Sequence, residues 1–351
     1  MASLIDTADL TLNPKEALAM SEAVFERVYV KPDALSRIHD VRTGIKMKTQ
    51  IPFFGLLGAV GKASSGCTPN SSSEKVNLTE KYWDPALIDF RLTHCQNDIS
   101  QLFKLWEKSP TGLKTWEDVD NEQVAFLAAR TIDATMEAIL RISQFGDKTA
   151  ALVADGGYIT AGKDIAFLTM IDGLWKQIFA GATIKRYTIP ENALATEAAQ
   201  LALATDRAAI ILRYLYSNID PRAHKAGNLV YQVTRTLANN FEDYLEDKSL
   251  GFTLQVAEDG KRNFRYRNIP ILIRDDWDRN IRDWNDQGDT LLYPHRAILT
   301  PLENIPIGTS DEGSLTSLDA FYDKVTKSHY TDVAFYLDCK LLEEYMIAVA
   351  Y

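Results

Sequence analysis

Cysteine is scarce in this chain, which has three among 351 residues. Cys67, Cys95 and Cys339 lie far apart and form no CxxC pair. An odd number of scattered cysteines excludes a disulfide framework and a zinc site built from paired thiolates. The expected state of these residues is a buried or half-buried thiol, which packs as a small apolar side chain.

Long apolar runs and an excess of basic residues are also missing. The longest weakly polar stretch is 51–61, with 11 residues, whereas a membrane-spanning helix needs about 20. The first residues, Met1 to Asp6, have neither the basic nor the apolar region of a secretory signal, which predicts a cytoplasmic protein without a membrane partner. The formal net charge is −10. Tight binding to phosphates needs clustered Lys and Arg, so direct nucleic-acid binding is not expected.

The segments that could carry chemistry fail their spacing tests. Gly61 and Lys62 are not followed by the Ser or Thr of a phosphate loop, since Ala63 stands there. The calcium-loop pattern that begins at Asp283 reaches Pro294 at the position of the bidentate Glu. The five histidines are isolated and no GxSxG motif is present. The sequence therefore predicts no cofactor, no metal site and no enzymatic activity.

One acidic segment leaves an alternative open. Six aspartates lie between Asp275 and Asp289, interleaved with Arg274, Arg279 and Arg282. We expect a solvated loop whose charges balance each other. Weak binding of a divalent ion is the alternative, and a metal-dependent cytoplasmic enzyme is the function that it would imply.

The apolar periodicity mixes helices and strands without a regular βαβ alternation, which predicts an α+β fold. The most regular helix covers 120–145, with Gly146 as its C-terminal cap. Further helices are predicted over 163–180, over a segment that begins at Thr196 and stops before Asp220, and over 223–246. Strands are predicted at 252–256, 264–273, 298–300, 318–325, 333–339 and 345–350.

A long β-hairpin is predicted over 41–80. Residues 44–49 and 76–79 alternate apolar and polar side chains, and between them lies a glycine-rich apolar tip. Exposed apolar patches usually mark contact sites. The tip residues are therefore predicted to contact another subunit, although folding back onto the chain's own core is the alternative; they are Phe53, Phe54, Leu56 and Leu57.

Two short patterns near the end of the chain carry a resemblance. The segment 266–271 reads Tyr-Arg-Asn-Ile-Pro-Ile, and Arg296 to Thr300 is followed by Asn304 to Thr309. In this order they resemble the closing half of the major capsid proteins of tailed bacteriophages, the Hong Kong ninety-seven phage fold. Asn268 stands where that family usually has glycine, and Asn is the residue that best replaces glycine at positive φ.

The resemblance covers nearly the whole chain and implies an order of parts. These are an N-terminal arm (1–40), an extended loop (41–80), a peripheral domain (81–160) with a spine helix (120–145), an axial domain (161–316) and returning peripheral strands (317–351). The implied function is structural: a shell subunit that assembles with itself into hexamers and pentamers around double-stranded DNA, without sequence-specific binding. The implied location is the virion, after assembly in the host cytoplasm.

The same resemblance implies portal, scaffold and decoration proteins as partners. Some members join their subunits by a Lys–Asn isopeptide bond, but no residues of this chain could be matched to that bond. An encapsulin-like bacterial nanocompartment shell is the alternative with the same fold.

Overall fold

A computed structural model of the protein describes residues 35–51, 81–95, 121–150, 165–225, 227–248, 255–256, 262–310, 319–323 and 328–351. Helices and strands are mixed, as predicted. The helices are α1 (Leu35–Ile38), α2 (Asn121–Phe145), α3 (Leu174–Ala180), α4 (Glu197–Leu201), α5 (Arg207–Asn218), α6 (Arg235–Asp247) and α7 (Asp275–Trp284).

The strands form a five-stranded, a seven-stranded and a two-stranded sheet within these residues. They are β1 (Val41–Arg42), β2 (Thr49–Ile51), β3 (Lys81–Trp83), β4 (Ala86–Cys95), β5 (Lys185–Tyr187), β6 (Leu229–Val233), β7 (Gln255–Val256), β8 (Arg262–Tyr266), β9 (Ile269–Ile273), β10 (Ala297–Pro301), β11 (Ile307–Gly308), β12 (Asp319–Asp323), β13 (Ser328–Cys339) and β14 (Ala348–Ala350).

The five-stranded sheet is built on the long strand β13. Its residues from Ser328 to Leu337 pair antiparallel with β4, and its first residues also pair with β12. At its end it pairs with β11, which in turn pairs parallel with β1. This sheet therefore joins segments from the beginning, the middle and the end of the chain.

The seven-stranded sheet has the order β5-β14-β10-β6-β9-β8-β7. Every residue of the central strand β10 is buried, and its side chains alternate between two cores. Ala297 and Leu299 lie in the core with α5 and α6, whereas Ile298 lies in the core with α2, α3 and α7. This is the period of two expected for a strand covered on both faces.

The long helix α2 has the predicted length and end. It spans 25 residues, and Ile139 and Ile142 near its end are buried. Gly146 follows directly, and a Cβ there would lie 2.5 Å from the Ile171 carbonyl oxygen. Gly173 donates a backbone hydrogen bond of 2.8 Å to Gly146. The glycine is therefore required by a close approach of two backbone segments, not by a positive φ.

That close approach explains why the predicted helix over 163–180 is wrong in its first half. The chain instead forms a 3₁₀ turn at Ile165–Phe167, and α3 begins only at Leu174. Between them, the Leu168 carbonyl accepts a hydrogen bond from Asp147 at 2.7 Å. The backbone groups of this stretch bind the end of α2 and so cannot form a helical ladder of their own.

Two other predicted helices are divided. Thr196 caps α4 as predicted, accepting from the Ala199 amide at 3.3 Å, but that helix ends at Leu201 and α5 follows. In 223–246 only the second half is helical, and Leu229–Val233 is the strand β6. Leu229 and Val233 lie four residues apart, a spacing that puts two side chains on the same face of either a strand or a helix. Pairing with β9 and β10 therefore decides that this segment is a strand.

The predicted strand over 264–273 is a hairpin of β8 and β9. Its two-residue turn consists of Arg267 at φ +50° and Asn268 at φ +66°. The expected positive φ of Asn268 is thus confirmed. Two consecutive positive φ values are typical of the tight turn whose twist matches that of the flanking strands.

The described residues include only portions of the predicted arm and of the predicted hairpin. The base of the predicted hairpin is present, since β2 pairs antiparallel with β3, but Phe53, Phe54, Leu56 and Leu57 lie outside the described residues. Of the predicted arm only the end is described, where Leu35 and Ile38 are buried. The domain limits stay predictions. Strand β14 pairs with β5 and β10, so the last residues belong to the seven-stranded sheet.

Candidate functional site

The acidic segment that the sequence offered as a loop is mostly the helix α7. Trp277 and Ile281 are buried one turn apart, and this spacing is the signal that could have predicted a helix. The aspartates of the first turn favour the helix because they lie at its positive end. The expectation of a loop between Asp275 and Asp289 is therefore wrong for its first ten residues.

Arginines bind the carboxylates at the start of this helix. Asp275 accepts two hydrogen bonds from the Arg235 guanidinium, at 2.7 and 2.6 Å. Asp276 accepts two from Arg274, at 2.8 and 2.6 Å. Burial raises the pKa of Asp278 to about 6, and its carboxylate accepts from the Arg235 backbone amide. Across the described part of the chain, no group of three or more acidic, His or Cys side chains could hold a metal ion.

Both ring nitrogens of His295 are engaged in structural hydrogen bonds. Nε2 lies 2.7 Å from the Gln200 carbonyl oxygen, and Nδ1 lies 2.7 Å from the Thr236 hydroxyl. A carbonyl only accepts, so Nε2 carries the proton and Nδ1 accepts from the hydroxyl. The Asn192 side chain binds both backbone groups of His295. Burial lowers the pKa of His295, which keeps the ring neutral.

Arg296 is a buried cation held by aromatic rings and carbonyl oxygens. Its guanidinium lies 4.8 Å from the Trp175 ring centre and 5.2 Å from that of Phe145. It donates to the carbonyls of Tyr293 and Leu292, both at 2.9 Å. Burial lowers its pKa to about 9. The conspicuous pair His295 and Arg296 thus connects the seven-stranded sheet to its helices and offers no free group for catalysis.

The second closing motif also has a structural role. Asn304 binds both backbone groups of Glu343, donating at 2.9 Å and accepting at 2.7 Å. A Cβ on Gly308 would lie 2.7 Å from the ring of Trp83 and 2.9 Å from Ile45. Gly308 therefore lets the base of the predicted hairpin pack directly on the five-stranded sheet.

A buried polar chain connects the end of the predicted arm to α2, to β6 and to the segment that precedes β11. His39 Nδ1 lies 2.8 Å from the Ile305 carbonyl, and Gln144 of α2 donates to His39 Nε2. Gln232 of β6 donates to the Ile38 carbonyl at 3.0 Å and accepts from Arg274. These side chains are almost fully buried. Their directional bonds fix the position of residues 35–40 relative to α2 and β6.

A surface feature that sequence reasoning missed lies where three segments meet. The Arg267 guanidinium lies 4.4 Å from the Tyr216 ring centre, and the His224 ring lies 4.6 Å from the same ring. Arg213 precedes Tyr216 by nearly one helical turn, and Lys225 follows His224. We call these five residues the Tyr216 cluster. Arg267 is about 50 positions from Tyr216, so no local pattern could have predicted their contact.

The predicted contact residues are not brought together with any of these features, because they lie outside the described part of the chain. Near the hairpin base, two apolar side chains are strongly exposed: Met47 at 72% and Leu87 at 55%. No helix within the described ranges is long and apolar enough to span a membrane.

Comparison with solved structures gives end-to-end similarity. The capsid of an empty GTA particle matches with a TM-score of 0.56 at 12% identity, covering 99% of each chain. The capsid asymmetric unit of cyanophage A-1(L) matches with a TM-score of 0.52 at 12% identity, covering 94% of each chain. The procapsid of satellite phage P4 matches with a TM-score of 0.50 at 14% identity, covering 90% of this chain and 93% of the matched chain. No family model matches the sequence, and no curated protein is significantly similar.

Proposed function

We propose, from the tailed-phage major capsid fold of this chain, that the protein is the structural subunit of a phage head. The observation that carries the proposal is the similarity of the whole chain to capsid subunits, over 90–99% of its length in the matches described above. At this level of identity the likeness concerns the fold, so the function is inferred from the fold and from the chemistry of the described residues together.

The described residues support a structural role. The motifs around His295, Arg296, Asn304 and Gly308 hold sheets and helices together, and their polar atoms bind backbone groups. Two carboxylates in the first turn of α7, those of Asp275 and Asp276, are bound to arginine guanidinium groups. A shell subunit needs such rigidity because its interfaces repeat many times, and each small misplacement would repeat with them.

In the proposed mechanism, subunits form hexamers and pentamers that close into an icosahedral shell around double-stranded DNA. The predicted hairpin extends from the base formed by β2 and β3 and lies across a neighbouring subunit. Phe53, Phe54, Leu56 and Leu57 then provide an apolar contact there. Many modest interfaces, closed by symmetry, stabilise the shell. A net charge of −10 disfavours adhesion of the DNA to the wall.

The proposal further expects a portal, a scaffold and decoration proteins as partners in a virion assembled in the host cytoplasm. An encapsulin-like nanocompartment would have the same fold, but none of the similar structures described above is a nanocompartment. The contents of a purified particle separate the two, since one encloses DNA and the other an enzyme.

The decisive experiment measures the assembly of the expressed chain. The purified protein is examined by sedimentation velocity and electron microscopy, at increasing concentration and with a crowding agent that favours association. We expect shells or their hexameric and pentameric building units. A protein that stays monomeric under all of these conditions would overturn the proposal.

A further inference from the structure

The Tyr216 cluster combines three exposed cations, Arg213, Lys225 and Arg267, with the rings of Tyr216 and His224. Arg213, His224, Lys225 and Arg267 are all exposed. No ion pair joins any of them to a carboxylate within the described part of the chain. Such a patch stands out on a protein whose net charge is −10. Exposed cations grouped around one aromatic ring can bind carboxylates in a fixed geometry.

Arg267 occupies a backbone position that suits other residues better. Its φ is +50°, in the first central position of the β8–β9 turn. Asn, Asp and Gly are preferred there, because a larger side chain crowds the backbone in the left-handed region. The guanidinium stacks on Tyr216 and also lies 5.6 Å from the Tyr266 ring centre. Its N–H groups remain available to a partner, which is a reason for arginine at a strained position.

The C-terminal end of α6 has the opposite charge, and its acidic side chains lie where they do not stabilise the helix. Asp243, Glu246 and Asp247 are exposed in its last two turns, where no basic residue lies in the last turn; Lys248 follows as the C-cap, with its ammonium 6.0 Å from the Tyr244 ring centre. No ion pair involves these carboxylates within the described ranges. Acidic side chains at the negative end of a helix dipole destabilise the helix. A charge pattern that opposes local stability indicates a role outside the helix itself.

We infer that the acidic end of α6 of one copy binds the Tyr216 cluster of a neighbouring copy. This inference rests on the proposed shell function, which places identical copies side by side. A contact between two different patches of the same chain is heterologous, and it generates a ring when the rotation closes. Charge complementarity at an interface chiefly sets which surfaces pair and how salt affects the pairing. The partner of the cluster is therefore a second copy of this chain.

The test reverses each patch separately. The first variant carries Lys225→Glu and Arg267→Glu, and the second carries Glu246→Lys and Asp247→Lys. Each variant alone places like charges opposite each other in every contact. We expect the amount of protein that sediments as particles to fall at least about tenfold for each variant at low salt.

An equal mixture of the two variants then decides where the contact lies. Copies that alternate around a ring pair opposite charges in every contact. Alternation closes only rings with an even number of copies, so we expect the mixture to recover hexamers, visible by electron microscopy, and not pentamers. Lys185→Glu, which changes an exposed cation of β5 outside the cluster, is the control and should assemble like the unmodified protein.

Three outcomes would overturn the inference. Normal assembly of both variants alone would show that the two patches do not meet. A lowered melting temperature of each unassembled variant, without rescue in the mixture, would place the pairing within one copy. If the unmodified protein forms no particles, the proposed shell function fails and this inference fails with it. The control variant separates a specific contact from a general effect of charge.

Discussion

Gln144 donates a hydrogen bond to His39 across 105 positions of the sequence, inside the buried core. His39 Nδ1 donates to the Ile305 carbonyl at 2.8 Å, so both ring nitrogens are occupied and the ring is neutral. Burial, assisted by the charge of Arg274, lowers the pKa of His39 to about 3. The hydrogen bond to the Ile305 carbonyl and the charge of Asp276 oppose this lowering of the pKa but are outweighed. A contact between the end of the predicted arm and the long helix thus depends on an uncharged histidine.

We expect this histidine to make the unassembled subunit sensitive to acid. The folded state holds the pKa of His39 near 3, whereas the unfolded chain has a value near 6.5. The unfolded state therefore binds more protons between these values, and the free energy of unfolding falls as pH drops below about 6.5. Replacing His39 by Gln should lower stability at neutral pH by about 1–3 kcal/mol, because buried hydrogen bonds are lost.

The measurement is a denaturant midpoint at pH values between neutral and 4. The His39→Gln variant should lose less additional stability on acidification than the unmodified subunit. His224→Gln is the control, since His224 is exposed, and its pH profile should match that of the unmodified protein. Equal acid sensitivity in the presence and absence of His39 would contradict the prediction.

Gly308 should tolerate no side chain. Gly308→Ala places a methyl group 2.7 Å from the rigid ring of Trp83, which cannot rotate away as a flexible side chain could. We expect a loss of about 1–3 kcal/mol in the free energy of unfolding, with a change in tryptophan fluorescence. Gly227→Ala is a matched control, because no atom lies within 4 Å of its Cβ position. Equal effects of the two substitutions would show that the hairpin base is not packed on β11.

The turn between β8 and β9 should require a residue that accepts positive φ at position 268. Asn268→Val should lower stability by about 1–2 kcal/mol, because a β-branched side chain crowds the left-handed conformation. Asn268→Gly should change it by less than about 0.5 kcal/mol, since glycine relieves the strain but loses the weak bond from Arg265. Thermal unfolding of both variants measures the difference. A tolerated valine would mean that the turn has another conformation.

The predicted hairpin tip should be needed for assembly and not for folding. Phe53→Asp combined with Phe54→Asp is expected to leave a soluble subunit that forms no shells, because the apolar contact with a neighbour is replaced by charge. Leu194→Asp is the control, as Leu194 is an exposed apolar residue of another segment, at 43%. Circular dichroism confirms folding and electron microscopy detects shells. Normal shells from the Phe53 and Phe54 variant would refute the proposed role of the tip.

Periodicity predicted the elements whose environment is uniform along their length. Helix α2 and the strands β10 and β13 follow their apolar patterns, since β10 is buried on both faces, Ile139 and Ile142 of α2 are buried, and alternate residues of β13 from Val333 to Leu337 are buried. The same reasoning failed for β6, where Leu229 and Val233 suit a helix and a strand equally. The neighbours β9 and β10 decide that conformation, and they are distant in sequence.

For the candidate sites too, the sequence alone did not reveal contacts between residues of different elements. The motif residues His295, Arg296 and Asn304 could be selected from sequence, but their partners come from other elements and only the fold reveals structural roles. Helix α7 was missed because six charged residues obscure three apolar positions, Trp277, Ile281 and Trp284. The Tyr216 cluster carries no local signal, since sheet and helix packing bring its members together.

Strand β14 lies between β5 and β10 and completes the seven-stranded sheet. A growing polypeptide makes β5 long before β14, and most of the second half of the chain is translated between them. Until then β5 lacks its neighbour within the sheet, and the rings of Trp175, Phe179 and Tyr293 lack their contact with the Tyr351 ring. The seven-stranded sheet is consequently incomplete until residues 348–350 have been made. For the proposed shell subunit, we expect this late completion of the sheet to disfavour assembly of copies that lack the residues of β14.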